Sequence, residues 1–350
     1  MSGTSLDGLD MAWCRFSESG GVWSYRILKA ETVRYPKSWR ERLAAAHRLS
    51  GEELVSLHIR FGLYLAERVN DFCSRHRIRR PECVASHGHT VFHQPSGGFT
   101  FQLGDGAALH AATGMPVVCD FRSLDVQLGG QGAPLVPIGD RLLFSNYAAC
   151  VNLGGIANIS MERRRRREAW DICFVNLALN HLAGLAGKSY DRDGAMARKG
   201  KVDGSLLDGL RMLHGQAAGR PSLGREDFER GVLPLLDSAL PLNDRLRTAV
   251  EYVALEVSEA IRLAPEGKVL LTGGGAHHGF LVERLNDLMS VGPRKSPRHM
   301  LETASDKIID FKEALVFAFL GVLRLQGRVN VLASVTGARS DSSSGVTFGC

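Results

Sequence analysis

A chain of 350 residues is long for one hydrophobic core and comfortable for two domains. With 44% hydrophobic and 23% charged residues it has the composition of an ordinary globular protein, which excludes a disordered or fibrous chain. The net charge of +6 is gathered in blocks such as Arg75 to Arg80 and Arg163 to Arg167, with no RNA-binding signature or aromatic platform, so nucleic acid is not an expected partner.

The chain opens with Met1-Ser2-Gly3-Thr4-Ser5-Leu6-Asp7-Gly8-Leu9-Asp10, a polar turn dense in small residues, hydroxyls and carboxylates. Residues 11–35 then read as strands, 38–79 as amphipathic helices, and 82–86 as a short strand ending at Ser86-His87-Gly88. Val117 to Asp120 reads as a further strand, and Ala133 to Phe144 as a helix or extended crossing between two lobes. Strands around 150–173 begin the second half. Helices follow from Leu177, then a segment at 214–226 that reads as mobile, a long helix at 244–263, a final helix near 310–326 and a polar tail at 336–345. The expected domains are 1–145 and 146–350, with the last helix free to return to the first.

No run of about 18 apolar residues suggests a membrane span, and no signal peptide stands ahead of the opening turn, so a cytoplasmic protein is expected. Seven scattered cysteines, an odd number with no CxxC pair, speak against a disulfide framework or a zinc ribbon. His87, His89 and His93 lack a fourth ligand or the helical HExxH spacing, and read as turn and pocket residues rather than a metal site. The five arginines at 163–167 read as a solvated loop. Gly184 to Ser189 imitates a P-loop, but only two residues separate its glycines where that motif has four.

The opening turn has the chemistry of an anion cradle. Gly3 and Gly8 allow close backbone approach, Thr4 and Ser5 offer hydroxyl donors, and Asp7 and Asp10 suit a hydrated Mg²⁺, with Asp7 as its contact through water. An ordinary β-turn is the competing reading. Two more such loops follow apolar runs: Val151 to Ser160, read as two strands meeting at Gly154-Gly155, and Val269 to Ala276, a strand entering Gly273-Gly274-Gly275 with a helix from Phe280. Three cradles suggest one nucleotide held by two lobes.

The segments SGTSLDGLD, SHGHTVFHQP, TFQLGDGAALHAATG, DFRSLDVQLGGQGAPLVP, NLGGIANIS, YDRDGAMARKG and TGGGAHHGFL, in that order along the whole chain, resemble the anhydro-N-acetylmuramic acid kinase family. The resemblance implies an α/β, two-lobed ribonuclease H-like fold of the actin-like ATPase kind, with the active site in the interdomain cleft. It also implies ATP and Mg²⁺ as cofactors and an anhydro amino sugar as substrate, with no nucleic acid or membrane partner; a homodimer is left open. In that family a hydrophobic strand leads into SGTSLDG, whereas only Met1 and Ser2 precede Gly3 here, so an unpaired sheet edge and a poorly anchored loop are expected.

The family substrate has O6 bonded to its own anomeric carbon, so water must attack C1 while O6 takes the γ-phosphoryl group. By resemblance Asp171 is the base. It aligns with the aspartate of Asp-x-Gly-Pro-Gly-Asn, whose Asn is Asn176 and whose Gly-Pro-Gly is replaced by Cys173-Phe174-Val175, a change expected to narrow the pocket or alter the sugar's pose. A helix N-cap is the other role open to Asp171. Glu313 matches a family glutamate that shares the water or a sugar hydroxyl; an exposed helix-start glutamate is its alternative. His87, Arg122, Asp125 and Asn176 are the expected sugar contacts, Arg122 being suited to the lactyl carboxylate, with an ion pair to Asp120 or Asp125 as its structural alternative. Gly3, Thr4, Ser5, Leu6, Asp7, Gly8, Leu9, Asp10, Asn152, Gly154, Gly155, Gly273, Gly274 and Gly275 are the expected nucleotide contacts. Two further readings stay open: a catalytically impaired relative, and an ATP-gated binding protein.

Overall fold

The computed structural model describes residues 1–3, 6–79, 81–215, 222–290 and 298–350. The expected hydroxyl donors Thr4 and Ser5, and the middle of the 214–226 segment, lie outside the described residues.

Strands β1 (Gly8–Ser19) and β2 (Val22–Arg34) precede helices α1 (Lys37–Ala45) and α2 (Gly51–His76). Strands β3 (Val84–Ala85), β4 (His89–Gln94) and β5 (Phe99–Leu103) lead to α3 (Gly106–Thr113), β6 (Val117–Cys119), α4 (Ser123–Gln127) and α5 (Pro137–Leu143). Next come β7 (Ala149–Leu153), β8 (Ile156–Arg163), β9 (Arg166–Phe174), α6 (Asn176–Gly184), α7 (Gly204–Gly215), α8 (Arg225–Asp227) and α9 (Leu233–Leu236). The chain continues with α10 (Leu242–Arg262), β10 (Gly267–Thr272), α11 (Gly279–Ser290), β11 (His299–Thr303), α12 (Asp306–Leu325), α13 (Ala333–Thr336) and β12 (Val346–Phe348).

These elements form two compact units, Met1–Leu143 with Phe311–Cys350, and Phe144–Asp310. The segment that returns to the first unit is thus longer than a last helix, and takes the polar tail with it.

In the first unit β1 and β2 form an antiparallel hairpin closed by Gly20-Gly21, both at positive φ, as a two-residue turn between twisted strands requires. A separate sheet has the order β12-β6-β3, and β4 pairs with β5. Helix α2 starts at a capping box, in which Ser50 and Glu53 satisfy each other's backbone N–H groups, and ends on Arg77 in the left-handed region. Its buried Leu57, Phe61, Leu65 and Phe72 recur at helical spacing and fill the core with Leu9, Leu103, Leu109 and Val117. Helices α5 and α12 approach so closely that a Cβ on Gly139 would sit 2.5 Å from a Val316 methyl. Beside that contact Lys312 Nζ lies 2.7 Å from Asp140 Oδ1, with both side chains almost excluded from water.

The second unit is built on one five-stranded sheet of order β11-β10-β7-β8-β9, in which β10 is parallel to β7 and β11 while β7, β8 and β9 run as antiparallel neighbours. Helix α10 lays a long apolar stripe, including Leu246, Val250, Val253 and Val257, into its core. The arginine run is not a solvated loop. Arg163 ends β8, Arg164 and Arg165 form the turn at φ 51° and 62°, and Arg167 is buried in β9, where it donates to Ser160 Oγ at 2.8 Å.

Two outcomes follow. Lys312→Met, which takes the ammonium away from a buried Asp140, is expected to lower stability by about 3–5 kcal/mol; urea unfolding should show it, and adding Asp140→Leu should return much of the loss. Replacing Arg164-Arg165 by Asn-Gly removes a left-handed penalty and should raise stability by about 1 kcal/mol, read as a higher urea midpoint.

Candidate active site

The expected nucleotide turn of the second unit is a tight assembly. Gly154 and Gly155 join β7 to β8, and the chain beyond β9 folds back on them: Val175 and Asn176 donate their N–H groups to Gly155 O and Gly154 O at 2.9 and 3.1 Å. The side chain of Asn176 donates to Leu153 O at 3.1 Å. This places Asn176 with the glycine hairpin. Strand β10 delivers Gly273-Gly274-Gly275 to the same place. A Cβ on Gly273, which has φ 78°, would collide with the Asn152 amide oxygen, and one on Gly275 would come within 2.8 Å of Leu153 Cβ. Gly274 meets nothing nearer than the Asn176 amide at 3.5 Å.

Asp171 stands in β9 directly opposite Asn158 of β8, where a bulge shifts the register between Ala157 and Asn158. It is the sixth of nine residues in a strand, and α6 is capped from Val175, so the helix-cap alternative does not apply. Its Oδ2 accepts the Leu223 N–H at 2.9 Å and the Ser222 hydroxyl at 3.4 Å. Burial pushes its pKa up from the ordinary carboxylate value, and those two donors oppose the rise. Asn158 was not singled out from sequence, although counting outward from a turn at Arg164-Arg165 pairs it with Asp171. Cys173, Phe174 and Val175 do not narrow an open pocket: all three are buried in the core, Phe174 against Phe228 with ring centroids 5.5 Å apart.

In the first unit the opening turn is held by the two residues before Gly3. Ser2 bridges to Leu9 antiparallel, and Met1 and Asp10 exchange backbone hydrogen bonds at 2.8 and 2.9 Å. Several expected contacts prove to serve the fold. Leu9 is core and Leu6 packs against it, so their side chains are not available to a nucleotide. Gly8 is required by the backbone of β2, since a Cβ there would lie 2.7 Å from Val33 O. Asp7 is exposed, and Asp10 accepts the Thr32 hydroxyl at 2.5 Å.

The three histidines have separate partners. His89 Nδ1 meets Ser2 Oγ and His93 Nδ1 meets Thr100 Oγ1, each at 3.1 Å. His87 Nε2 accepts from Arg122 Nε and Nη2 at 3.1 and 2.9 Å, which makes Nδ1 the protonated nitrogen that donates to Gly88 O at 2.9 Å. Burial first, and then Arg122, hold His87 well below its usual pKa, so it is neutral. Arg122 also donates to Gly132 O at 2.6 Å; its polar partners are this carbonyl and His87 in place of the ion pair with Asp120 or Asp125. Burial lowers its pKa to about 10, with the charges of Glu313 and Asp125 working the other way. Asp125 has no accessible surface and accepts Gly132 N–H and the Thr336 hydroxyl, both at 2.7 Å. It supports the arginine loop instead of touching a substrate.

Glu313 lies in the third turn of α12, beyond the first-turn position where a helix dipole would account for it. It is exposed at the surface, yet its carboxyl end is crowded by protein, and that desolvation raises its pKa; Asp10 adds to the rise and Arg122 opposes it. The first unit therefore gathers one guanidinium, Arg122, and three carboxylates, Asp10, Asp125 and Glu313, in electrostatic contact, and the second holds a desolvated carboxylate on the strand after a glycine hairpin.

The family model for anhydro-N-acetylmuramic acid kinase matches residues 1–349. A relative from Mannheimia succiniciproducens, named anhydro-N-acetylmuramic acid kinase, is 35% identical over 376 residues, covering 99% of this chain and 97% of the relative. One of the same name from Gloeobacter violaceus is 36% identical over 366 residues, covering 97% and 94%. Among solved structures, a ROK hexokinase from Thermus thermophilus aligns over 90% of this chain and 99% of its own at 18% identity, with a TM-score of 0.36. By the full-length family match and these relatives, the chain belongs to the anhydro-N-acetylmuramic acid kinase family, a family of phosphotransferases.

Proposed function

We propose that this chain adds water to 1,6-anhydro-N-acetylmuramic acid and moves the γ-phosphoryl group of ATP to O6, giving N-acetylmuramic acid 6-phosphate and ADP in the recycling of cell-wall sugar in the cytoplasm. The observation that carries this reading is Asp171, a carboxylate raised in basicity by burial and aimed by two neutral donors, on the strand that follows the glycine hairpin.

Asp171 takes a proton from water, whose oxygen forms the new bond to C1. The C1–O6 bond breaks, and O6, the leaving group of that step, accepts the phosphoryl group. Atoms balance as anhydro sugar, ATP and water giving sugar phosphate, ADP and a proton. Asn158 is the cross-strand neighbour of Asp171. Arg122, held by neutral His87 and Gly132 O, suits the lactyl carboxylate, and Glu313 suits a sugar hydroxyl.

The residues present fit a nucleotide phosphate. Gly274 leaves room beside the Asn176 amide, and the glycines flanking it bring backbone close to Asn152 and Leu153. Exposed Asp7, with Asp10, fits a hydrated Mg²⁺, which would neutralise phosphate charge when bound. The impaired-relative reading loses one of its supports, because Cys173-Phe174-Val175 is absorbed in the core.

Asp171→Asn is expected to keep sugar and nucleotide binding while lowering kcat by about 10²–10⁴-fold, the usual share of a general base; stopped-time phosphoryl-transfer assays decide it, and near-normal turnover removes Asp171 from the mechanism. Asp171 must be ionised to act, and its pKa is raised, so kcat should fall with acid at a pH above the ordinary carboxylate value of about 4. A limb at or below that value contradicts its assignment. Arg122→Lys should raise KM for the muramyl sugar by about 10–100-fold, the loss of one charged hydrogen bond, with little change for ATP. An analogue lacking the lactyl group should be insensitive to the change.

A further inference from the structure

In the first unit the loop that follows α4 is held by a segment from much later in the chain. Residues 330–344 close on themselves at Asn330, which has no accessible surface. Its amide donates to Leu320 O at 3.1 Å and Ser344 O at 2.8 Å, and its side-chain oxygen accepts the Ser344 N–H at 2.7 Å. Val331 and Ser342 exchange backbone hydrogen bonds of 3.1 Å beside that base. Helix α13 thus belongs to a closed loop, and its last residue, Thr336, meets the loop after α4. Thr336 O accepts the Gln131 N–H at 2.8 Å, and the Arg339 N–H donates to Leu128 O at 3.0 Å. The two segments are so close that a Cβ on Gly130 would lie 2.9 Å from the Ala338 Cβ.

Asp125 is where this contact acts. A carboxylate without accessible surface needs donors on both oxygens, because an unmet one keeps its full desolvation cost. Gly132 gives its N–H to Oδ2 and Thr336 its hydroxyl to Oδ1. Gly132 stands at φ 66°, and a Cβ there would lie 2.8 Å from a Val126 methyl, so the turn requires glycine. With its N–H on Asp125, its carbonyl is aimed at Arg122 Nη1, 2.6 Å away. Arg122 Nε and Nη2 are on His87, and the guanidinium carbon lies 6.0 Å from the centre of the Phe317 ring. Among the described residues these contacts leave one N–H on each terminal nitrogen for an anion.

We propose that Thr336 is a positioning residue for Arg122: through Asp125 and the Gly132 carbonyl it fixes the plane of the guanidinium, and so sets the preference for a sugar that carries a carboxylate. This rests on the reading of Arg122 as the partner of the lactyl carboxylate. Two N–H groups on different nitrogens hold a carboxylate by parallel hydrogen bonds only in the plane that they share. A guanidinium released from Gly132 O turns about its side-chain torsions and presents that fork in many directions. The loss then falls on the carboxylate and spares the rest of the sugar.

The test compares Thr336→Val, which keeps the shape and removes the hydroxyl, with Thr336→Ser, which keeps the hydroxyl. Thr336→Ala, with room for a water at Asp125, takes the place of Thr336→Val if that protein does not fold. The muramyl sugar and the analogue lacking the lactyl group are assayed side by side. Thr336→Val is expected to raise KM for the muramyl sugar by about tenfold, the loss of one hydrogen bond to a charged group, with kcat within about threefold. KM for the analogue and for ATP should stay as they are. Amide exchange at Gly132 should become at least about tenfold faster, and Thr336→Ser should show neither change. An equal rise in KM for both sugars overturns the proposal, as does a lower unfolding midpoint with Gly132 exchange and both KM values unchanged. A selective rise in Arg122→Lys that Thr336→Val does not reproduce overturns it too, and leaves the reading of Arg122 standing. If Arg122→Lys itself does not distinguish the two sugars, that reading fails and the proposal fails with it.

Discussion

Lys312 and Asp140 meet at 2.7 Å with almost no solvent around either, and much of the first unit's geometry is set by that contact. A buried ion pair contributes little net stability, because desolvation offsets the attraction. Its effect is on register. Turning or sliding α12 by one residue would leave an ammonium and a carboxylate buried apart, at a cost of several kcal/mol. With α12 fixed, Val316 lands on Gly139, Glu313 follows directly after Lys312, and Phe317 presents its ring to His87 with centroids 4.7 Å apart. His87 in turn accepts two hydrogen bonds from Arg122. One internal pair thus governs where a carboxylate and a guanidinium of the site stand.

The two candidate carboxylates are raised by the same cause and restrained by different ones. Burial lifts both Asp171 and Glu313, but Asp171 is restrained by a backbone N–H and a hydroxyl, whereas Glu313 is restrained by the full charge of Arg122 and lifted further by Asp10. Neutral donors respond little to what binds nearby. A charged neighbour does respond: any anion that takes up the Arg122 charge weakens its hold on Glu313 and favours the protonated form. Asp171 is thus restrained by neutral groups that stay in place, and Glu313 by a charge that a bound anion would share.

Much of the layout was legible from periodicity and turn chemistry. The hairpin at Gly154-Gly155, the buried strand into Gly273, the long helices and the glycine-ended α6 all follow local signals. What escaped notice is non-local. β12, three residues long, is a strand only because it pairs with β6, more than two hundred residues earlier in the sequence. β4 and β5 are joined by a 3₁₀ turn at Pro95–Gly97 without the usual two-residue hairpin signal. Asp125 shows the same limit within the site. Its acidic type suggested a sugar contact, but the Thr336 hydroxyl that occupies it comes from the far end of the chain.

The glycine motifs show why the site was legible as a region and not residue by residue. A glycine signals that something comes close to the backbone, without saying what. At Gly8 it is the carbonyl of Val33, at Gly273 the Asn152 amide, and at Gly275 the side chain of Leu153. Gly155 and Gly274, whose added Cβ atoms would meet nothing nearer than 3.4 and 3.5 Å, leave space that protein does not already fill. Three of these five glycines let the protein pack on itself, and that packing is what brings the two open ones to a common edge beside Asn176. The cradle is therefore made by close packing behind it, and a methyl group added at Gly273 or Gly275 would displace the donors without touching a ligand.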